Sequence, residues 1–492
     1  MSKYEADVVV VGSGNGGMSA AVAAAREGAK VIVLEISGAT GGSSSFSGGG
    51  LHVWGLKTYE EYVAYTEGLG DPVLGRAFFE AFTQYSPWLV EIGAAVTKSP
   101  HIQGPYDLHM GRDVKAPPFA PRCREYFDSM EEIFRAAGGQ ILVKTKAHRL
   151  VTDDTGTVTG VRGRGPDGPV EVDAGAVVLA CGGFQGNPEL RVRYLGPDAD
   201  LASVLGCPYQ QGDGMVMAQT AGAALGGSMS TFSAVWTSAF PAVNPAEDRE
   251  LYESLPYTLE GRVGLSDYTE TFEPLGSILV NLDGHRYVDE SLRSYRVAQA
   301  TIKQRRAMGV WVGDQKMWGP WLDQPTIFTG KTPREQFDLM AETGGVLVQA
   351  DTLESLADQL AGLEANRVHR TNLLRTISEY NEAVAAGNGT ELDVPRSPGR
   401  NVLKAEIPAL PLDEPPFYAW PVRPAIYMCY GGVRINEHAQ ALDSHGEPVR
   451  GLYAVPPTAG GVYREVYVGS ISCAGAFGWL AGRHAVAATS VI

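Results

Sequence analysis

An α/β fold, with a second, α+β domain inserted into the first, is what three observations in the sequence predict. Four consecutive valines, Val8 to Val11, read as a buried parallel strand. The turn Gly12-Ser13-Gly14-Asn15-Gly16-Gly17 runs from it straight into an Ala-rich helix from Met18 to Glu27. Between about Ser230 and Pro424 the chain becomes aromatic-rich and proline-bearing, and the glycine- and alanine-rich style returns after it. The expected boundaries are 1–230 and 426–492 for the two parts of the outer domain, with a helical insertion at about 55–138, and 231–425 for the inserted domain.

The opening is Rossmann-like, and its spacing is that of a dinucleotide-binding turn. Gly12 permits the tight turn, Gly14 lets a pyrophosphate approach the backbone, and Gly17 lets the helix pack on the strand. Ser13, Asn15 and Gly16 complete the candidate set in this loop. The pyrophosphate would sit on the helix N-terminus, where free amides and the positive dipole end favour negative charge. A second strand, Lys30 to Leu34, ends in Glu35, about 20 residues beyond the turn, where a carboxylate accepts hydrogen bonds from an adenosine ribose. Ile36 is counted with it.

Composition narrows the class. A chain of 492 residues is long enough for more than one core. A net charge of −16 argues against a nucleic-acid partner, which needs a basic face. The first strand begins by Asp7 and leaves no room for a signal peptide, and the apolar runs fall short of a membrane span, so a cytoplasmic protein is expected. The five cysteines (Cys123, Cys181, Cys207, Cys429, Cys473) form no C-x-x-C pair, so no metal site and no covalent haem is expected. The histidines lack ligand spacing, and His52, His148 and His285 read as ordinary residues.

Further along, Gly41, Gly42, Ser43, Ser44, Ser47, Gly48 and Gly49 form a run too poor in apolar groups for a core element. Small residues directly after the ribose-binding strand would let a long cofactor lie against bare backbone. Amphipathic helices are expected from Thr58 to Ile92, interrupted near Gly70-Asp71-Pro72, and another around Ser129 to Ala137. Gln140 to Val178 alternates as strands and ends in Ala180-Cys181-Gly182-Gly183-Phe184. Asp213, within Gly212-Asp213-Gly214, either caps the following helix or faces the cofactor. Asn281 to Glu290 reads as strand, turn and strand, and Leu353 to Ala385 as a solvated amphipathic helix. After a hairpin around Ser444 to Glu447, Gly469-Ser470-Ile471-Ser472 opens a small-residue helix running to about Ala488. Its N-terminus suits the pyrimidine edge of a flavin, whose N1 and C2 carbonyl gain negative charge on reduction.

Together these motifs, with Gly284-His285-Arg286-Tyr287-Val288-Asp289-Glu290, resemble the fumarate reductase and succinate dehydrogenase flavoprotein family over nearly the whole chain. The resemblance implies an FAD-binding domain split by a capping domain, with substrate held between flavin and cap. It also implies cofactor contacts at Ala147, Ala180, Gly182, Asn187, Asp213, Ser470 and Ile471. Where dicarboxylate-reducing members carry a histidine and an arginine that clamp a carboxylate, this chain has Tyr427 and Tyr467. In that respect it looks more like the 3-ketosteroid dehydrogenase branch. Tyr467 looks like the tyrosine that the ∆4 members place before the last helix, while a ∆1 register would put Arg464 at the carbonyl-polarising position. Pro456-Pro457 departs from the family pattern and leaves an expected ribityl hydrogen bond to be supplied elsewhere.

Desaturation beside a carbonyl needs a hydride acceptor, a base for the adjacent proton, and a donor to the carbonyl oxygen. Flavin N5 would be the acceptor. The side-chain candidates are Tyr467, Tyr430, Tyr427 and Tyr295, with Arg464 and Arg293 as electrostatic partners. A rival enzymatic reading makes Arg464 and Arg293 a rearranged clamp for a carboxylic acid. A flavin electron-relay protein is the non-enzymatic alternative, against which stands the lack of haem, iron-sulfur and nicotinamide motifs. The expected cofactor is noncovalent FAD, and the expected partners are a small-molecule substrate and a diffusible electron acceptor or donor.

Overall fold

The computed structural model describes residues 1–99, 102, 104–112, 120–239, 276–292, 294–323, 332–342, 345–364, 366–400 and 406–489. Two compact units emerge. The first comprises Met1–Leu190, Gly206–Phe232 and Met428–Ile492, and the second Arg191–Leu205 and Ser233–Tyr427.

The first unit is organised on strand β1 (Ser2–Val11), whose valines 8 to 11 are all buried. It is followed by helix α1 (Asn15–Arg26) and β2 (Val31–Leu34). Helices α2 (Pro72–Glu91) and α3 (Ala120–Ala136) precede β3 (Gln140–Leu142), β4 (Lys146–Thr152), β5 (Val158–Gly165) and β6 (Gly168–Leu179). Helix α4 (Asp213–Thr220), the hairpin β7 (Gln440–Leu442) and β8 (Pro448–Ala454), and the terminal helix α5 (Ser470–Thr489) complete it. Among the described residues these strands form an eight-stranded sheet in the order β7-β8-β6-β1-β2-β3, with β5 on β6 and β4 on β5. The pairs β8–β6, β6–β1, β1–β2 and β2–β3 are parallel, which explains why Val8 to Val11 show no alternation: both faces are covered.

Helices α1 and α5 approach through bare backbone. A Cβ on Gly478 would lie 2.1 Å from the Gly16 carbonyl oxygen, and one on Gly482 would lie 2.3 Å from that of Ala20. The small-residue composition of both helices is therefore a packing requirement. Helix α2 starts where the sequence suggested, with the Asp71 carboxylate capping the amides of Val73 and Leu74 at 2.9 and 3.1 Å. Helix α3 begins earlier than expected, at Ala120 rather than near Ser129.

In the second unit, Phe417–Cys429 is the central strand among the described residues. Gly309–Gly313 and Val348–Ala350 pair antiparallel with it, and Ile278–Val280 adds outside Gly309–Gly313. Buried aromatics fill its core, with Trp236 edge-on to Trp311 at 5.8 Å and Trp318 stacked on Tyr418 at 5.3 Å.

Three expectations need correction. Arg191–Leu205, expected in the outer domain, belongs to the second unit, because Ser203–Val204 pairs in parallel with Ala425–Ile426. The second strand expected before Glu290 is reduced to one bridge between Val280 and Arg286. There the buried Arg286 guanidinium grips Glu290, Nε to Oε1 at 2.9 Å and Nη2 to Oε2 at 2.5 Å, while Glu290 Oε1 also accepts the Leu279 amide at 2.9 Å. Leu353 to Ala385 is two helices, Leu353–Ala361 and Arg370–Ala385, the second capped by His369.

Candidate active site

The glycine turn separates into residues the protein itself requires and one it does not. Gly12 has φ +100°, and a Cβ there would sit 2.3 Å from the Ala180 carbonyl oxygen. A Cβ on Gly17 would sit 1.9 Å from the Gly12 carbonyl oxygen. Gly14 differs, because its φ of −62° and ψ of −177° suit any residue. The nearest atoms to a Cβ there are Ser44 Oγ at 3.7 Å and the Gly41 oxygen at 3.8 Å. Gly42, at φ +49°, turns its open side toward Gly14, and its Cβ would lie 3.6 Å from the Gly14 Cα. Two glycines thus leave a strip of bare backbone at the start of α1, the cradle that a pyrophosphate needs.

Glu35 closes the far end of this turn. Its Oε2 accepts the Ser13 amide at 2.9 Å and hydroxyl at 2.5 Å, and its Oε1 accepts the Ser37 amide at 2.8 Å. A carboxylate has lone pairs beyond these three bonds. Ile36 follows, half-buried. Ala147 lies buried in β4, next to Lys146, whose ammonium stands 3.1 Å from Asp213 Oδ2. Asp213 is not the cap of α4: Gly212 holds that position at φ +79°, and the Asp213 carboxylate turns to Lys146.

Other candidates serve the scaffold with their side chains. Asn15 Nδ2 donates to the Ile471 carbonyl at 2.8 Å and to Tyr85 Oη at 3.2 Å, and its Oδ1 accepts Tyr126 Oη at 2.8 Å. It ties α1 to α2, α3 and α5, while its backbone amide donates to Ser44 Oγ at 3.2 Å. Ser43 Oγ accepts the Cys207 amide at 2.9 Å and bonds Gln210 Nε2. Ser47 Oγ donates to the Ser44 carbonyl at 2.7 Å. Gly48 follows half-buried, and Gly49, at φ +77°, leaves the room that His109 takes, 2.7 Å from a would-be Cβ. Ala180 donates its amide to the Val11 carbonyl at 2.8 Å, and Gly182 accepts the Thr458 hydroxyl at 3.0 Å. Asn187 accepts the Leu190 amide at 3.2 Å, capping the short helix that follows. Ser470 opens α5 beside Ile471.

The catalytic candidates divide between the units. In the first, Tyr463 stands between Tyr430 and Tyr467, with ring centroids 5.9 Å from the former and 6.0 Å from the latter. Tyr430 is buried and Tyr467 half-buried, two residues before Gly469. The Tyr463 hydroxyl donates to the Val468 carbonyl, and burial raises its pKa well above the usual tyrosine value, so it stays protonated. Arg464 is exposed, and its backbone carbonyl accepts the Thr231 hydroxyl. Tyr427 and Tyr295 lie in the second unit, where the Tyr427 hydroxyl accepts a bond from Ser233 Oγ at 2.8 Å and Tyr295 is buried in the helix Ser294–Thr301. Arg293 lies outside the described residues.

Tyr463, Tyr85 and Tyr126 were missed by sequence reasoning. A signal existed for the first, since it stands four residues before Tyr467. None existed for the other two, whose role depends on contacts with Asn15 from far along the chain. Among the described residues, no group of three His, Cys, Asp or Glu could hold a metal ion, and no helix is long and apolar enough to cross a membrane.

A family model described as FAD binding domain matches residues 7–470. Over 494 residues the chain is 26% identical to a probable fumarate reductase of Shewanella frigidimarina, covering 97% of this chain and 74% of that protein. It is 25% identical over 587 residues to a 3-oxosteroid 1-dehydrogenase of Mycobacterium tuberculosis, covering 98% of this chain and 99% of that protein. The solved structure of a 3-ketosteroid ∆1-dehydrogenase from Sterolibacterium denitrificans matches with a TM-score of 0.74 at 21% identity, over 98% of this chain and 99% of that one, a likeness of fold.

Proposed function

The chain belongs to the FAD binding domain family, and on that premise we propose that it forms or reduces a carbon-carbon double bond beside the carbonyl of a neutral, ring-shaped ketone. It is an FAD-dependent oxidoreductase acting on CH–CH groups; the ketone is the finer step. Bound FAD supplies the two-electron acceptor or donor at its N5. The turn Gly12–Gly17, Glu35, the Gly41–Ser44 run and the N-terminus of α5 would hold it.

The observation that carries the ketone reading is the tyrosine cluster directly ahead of α5. Tyr467, half-buried and in ring contact with Tyr463, is the acid-base group in this reading. Tyr463 positions it: the protonated hydroxyl bonds the Val468 carbonyl and the ring supports both neighbours. A tyrosine that takes a proton near neutral pH needs its pKa lowered by donors or cations, and the exposed Arg464 is the nearest cation in sequence. Phenolic O–H donors suit a neutral carbonyl oxygen better than a carboxylate, which calls for arginine.

The likeness to a fumarate reductase favours a second reading, a carboxylic-acid reductase or dehydrogenase that uses Arg464 with Arg293. Under either reading FAD is noncovalent and electrons pass to or from a diffusible partner. The free cysteines among the described residues fit a reducing compartment, so we place the protein in the cytoplasm.

The test is anaerobic mixing of the purified flavoprotein with 3-ketosteroids, and separately with succinate-like acids, following the flavin absorbance. Bleaching by ketosteroids supports the ketone reading. Bleaching by acids alone overturns it in favour of Arg464 and Arg293. Flavin that stays attached after denaturation overturns the noncovalent assignment.

A further inference from the structure

The glycine and serine run that follows β2 lies against the phosphate turn, and α3 holds it there. Gly41 donates its amide to the Ser13 carbonyl at 3.0 Å, and Ser44 Oγ accepts the Asn15 amide at 3.2 Å. Between these two bonds Gly42 turns its open side to Gly14. The run is therefore the second wall of the cradle whose first wall is the glycine turn. Gly41 and Gly42 have φ of +122° and +49°, and neither carries a side chain that could fix it. Their place depends on the residues that flank them.

On the N-terminal flank stands the buried Thr40, and Arg124 of α3 grips it twice. Arg124 Nη1 donates to the Thr40 carbonyl at 2.8 Å, and Nη2 donates to Thr40 Oγ1 at 3.0 Å. That hydroxyl donates in turn to Glu131 Oε2 at 3.2 Å. The guanidinium is aimed by Asp128, one turn further along α3, whose Oδ1 accepts Arg124 Nε at 2.7 Å. Phe127 closes on Gly41, where a Cβ would lie 3.1 Å from the ring Cδ2. On the other flank, Ser45 Oγ donates to the Gly42 carbonyl at 2.7 Å. A planar fork meets two acceptors of one residue with fixed N–H bonds, whereas a lysine ammonium is a point charge on a flexible stem.

A wall of glycines has to be ordered before it can hold an anion, and binding is weaker by that cost unless the fold has ordered it beforehand. We propose that Arg124 is a positioning residue for FAD: through Thr40 it sets Gly41 and Gly42 opposite Gly14, so that the cradle stands ready for the pyrophosphate. It acts through the backbone of the run and not by contact with the cofactor. The proposal rests on FAD as the cofactor and on the cradle between Gly14 and Gly42. It is independent of the substrate, so its failure leaves the ketone reading standing, and the reverse holds too.

The test takes the full-length chain stripped of flavin and compares wild type with Arg124→Ala, Arg124→Lys and Thr40→Ala. Each is titrated with FAD, and hydrogen exchange is followed at residues 41–44 with and without FAD. In Arg124→Ala the flavin-free amides of 41–44 exchange about tenfold faster than in wild type, FAD affinity falls by about tenfold, and bound FAD restores much of the protection. Arg124→Lys and Thr40→Ala each keep part of the grip and fall between alanine and wild type on both readouts. These two variants carry the test where Arg124→Ala yields little folded chain. Unchanged FAD affinity in the folded variants overturns the proposal, whatever their melting temperatures. Weaker binding with unchanged exchange at 41–44 overturns it too, as does full recovery in Arg124→Lys, since positive charge alone would then account for the effect.

Discussion

Both donors of Ser13, its amide and its hydroxyl, end on a single oxygen of Glu35, at 2.9 and 2.5 Å. The carboxylate expected to bind the ribose therefore also shapes the turn expected to bind the phosphates. Replacing Glu35 by Gln leaves one oxygen for Ser13 and sets an NH2 group against the Ser37 amide. The variant is expected to lose about 1–3 kcal/mol of stability in urea unfolding. FAD titration should show affinity lower by about tenfold or more, since ribose hydroxyls lose an acceptor as well.

Gly14 and Gly17 separate ligand demands from folding demands. Gly14→Ala adds a methyl with nothing nearer than 3.7 Å, so the flavin-free chain should melt within about 0.5 kcal/mol of wild type. Its FAD affinity should fall sharply, because the methyl occupies the cradle. Gly17→Ala pushes a methyl to 1.9 Å from the Gly12 carbonyl oxygen, and little folded protein should be recovered. Equal stability losses in the two variants would show that Gly14 has a packing role after all.

Tyr467→Phe and Tyr463→Phe each delete one hydroxyl from the same cluster. With Tyr467 in the proposed acid-base role, its phenylalanine variant should lower kcat by roughly 10²–10⁴-fold with FAD retained, read in stopped-flow flavin bleaching. Tyr463→Phe breaks the bond to the Val468 carbonyl, and denaturant unfolding should register a loss of about 1 kcal/mol with a smaller loss in kcat.

Acid should destabilise the chain through His52. Burial, with His109 close by, depresses its folded pKa from 6.5 to about 4, so the unfolded chain takes up a proton that the folded chain refuses. The contribution is fully present above pH 6.5, falls as pH drops toward 4, and levels off below it, a loss of roughly 3 kcal/mol. Urea unfolding at pH 7 and pH 4.5 should show His52→Leu losing less stability over that interval than wild type. Identical pH dependence in the two would rule this out.

Local chemistry made much of the first unit readable. Valine runs, the glycine turn, the Asp71-Pro72 helix start and the Ser444–Glu447 hairpin each carry their geometry within a few residues. Reading failed where a local pattern was overridden from a distance. Asn281 to Glu290 looked like strand, turn and strand, but Arg286 and Glu290 are buried as an ion pair that takes the Leu279 amide as well. Leu353 to Ala385 looked continuous because charged residues fill the gap, and the stop at Gly362 and the start at His369 are single-residue signals. At the candidate site, Gly14 and Glu35 were legible because the motif has a fixed spacing. Tyr85 and Tyr126 were not, because their bonds to Asn15 join positions far apart in the chain.

The Asn15 amide meets the Ile471 carbonyl across 456 positions of sequence. On a ribosome, the phosphate turn emerges early and its clamp late. A nascent chain halted before Ile471 has the glycines but lacks the helix that Asn15 binds, and the surface of α1 that Gly478 and Gly482 cover lies open. The two ends of the chain are therefore needed together before the start of α1 is held and covered as the folded unit has it.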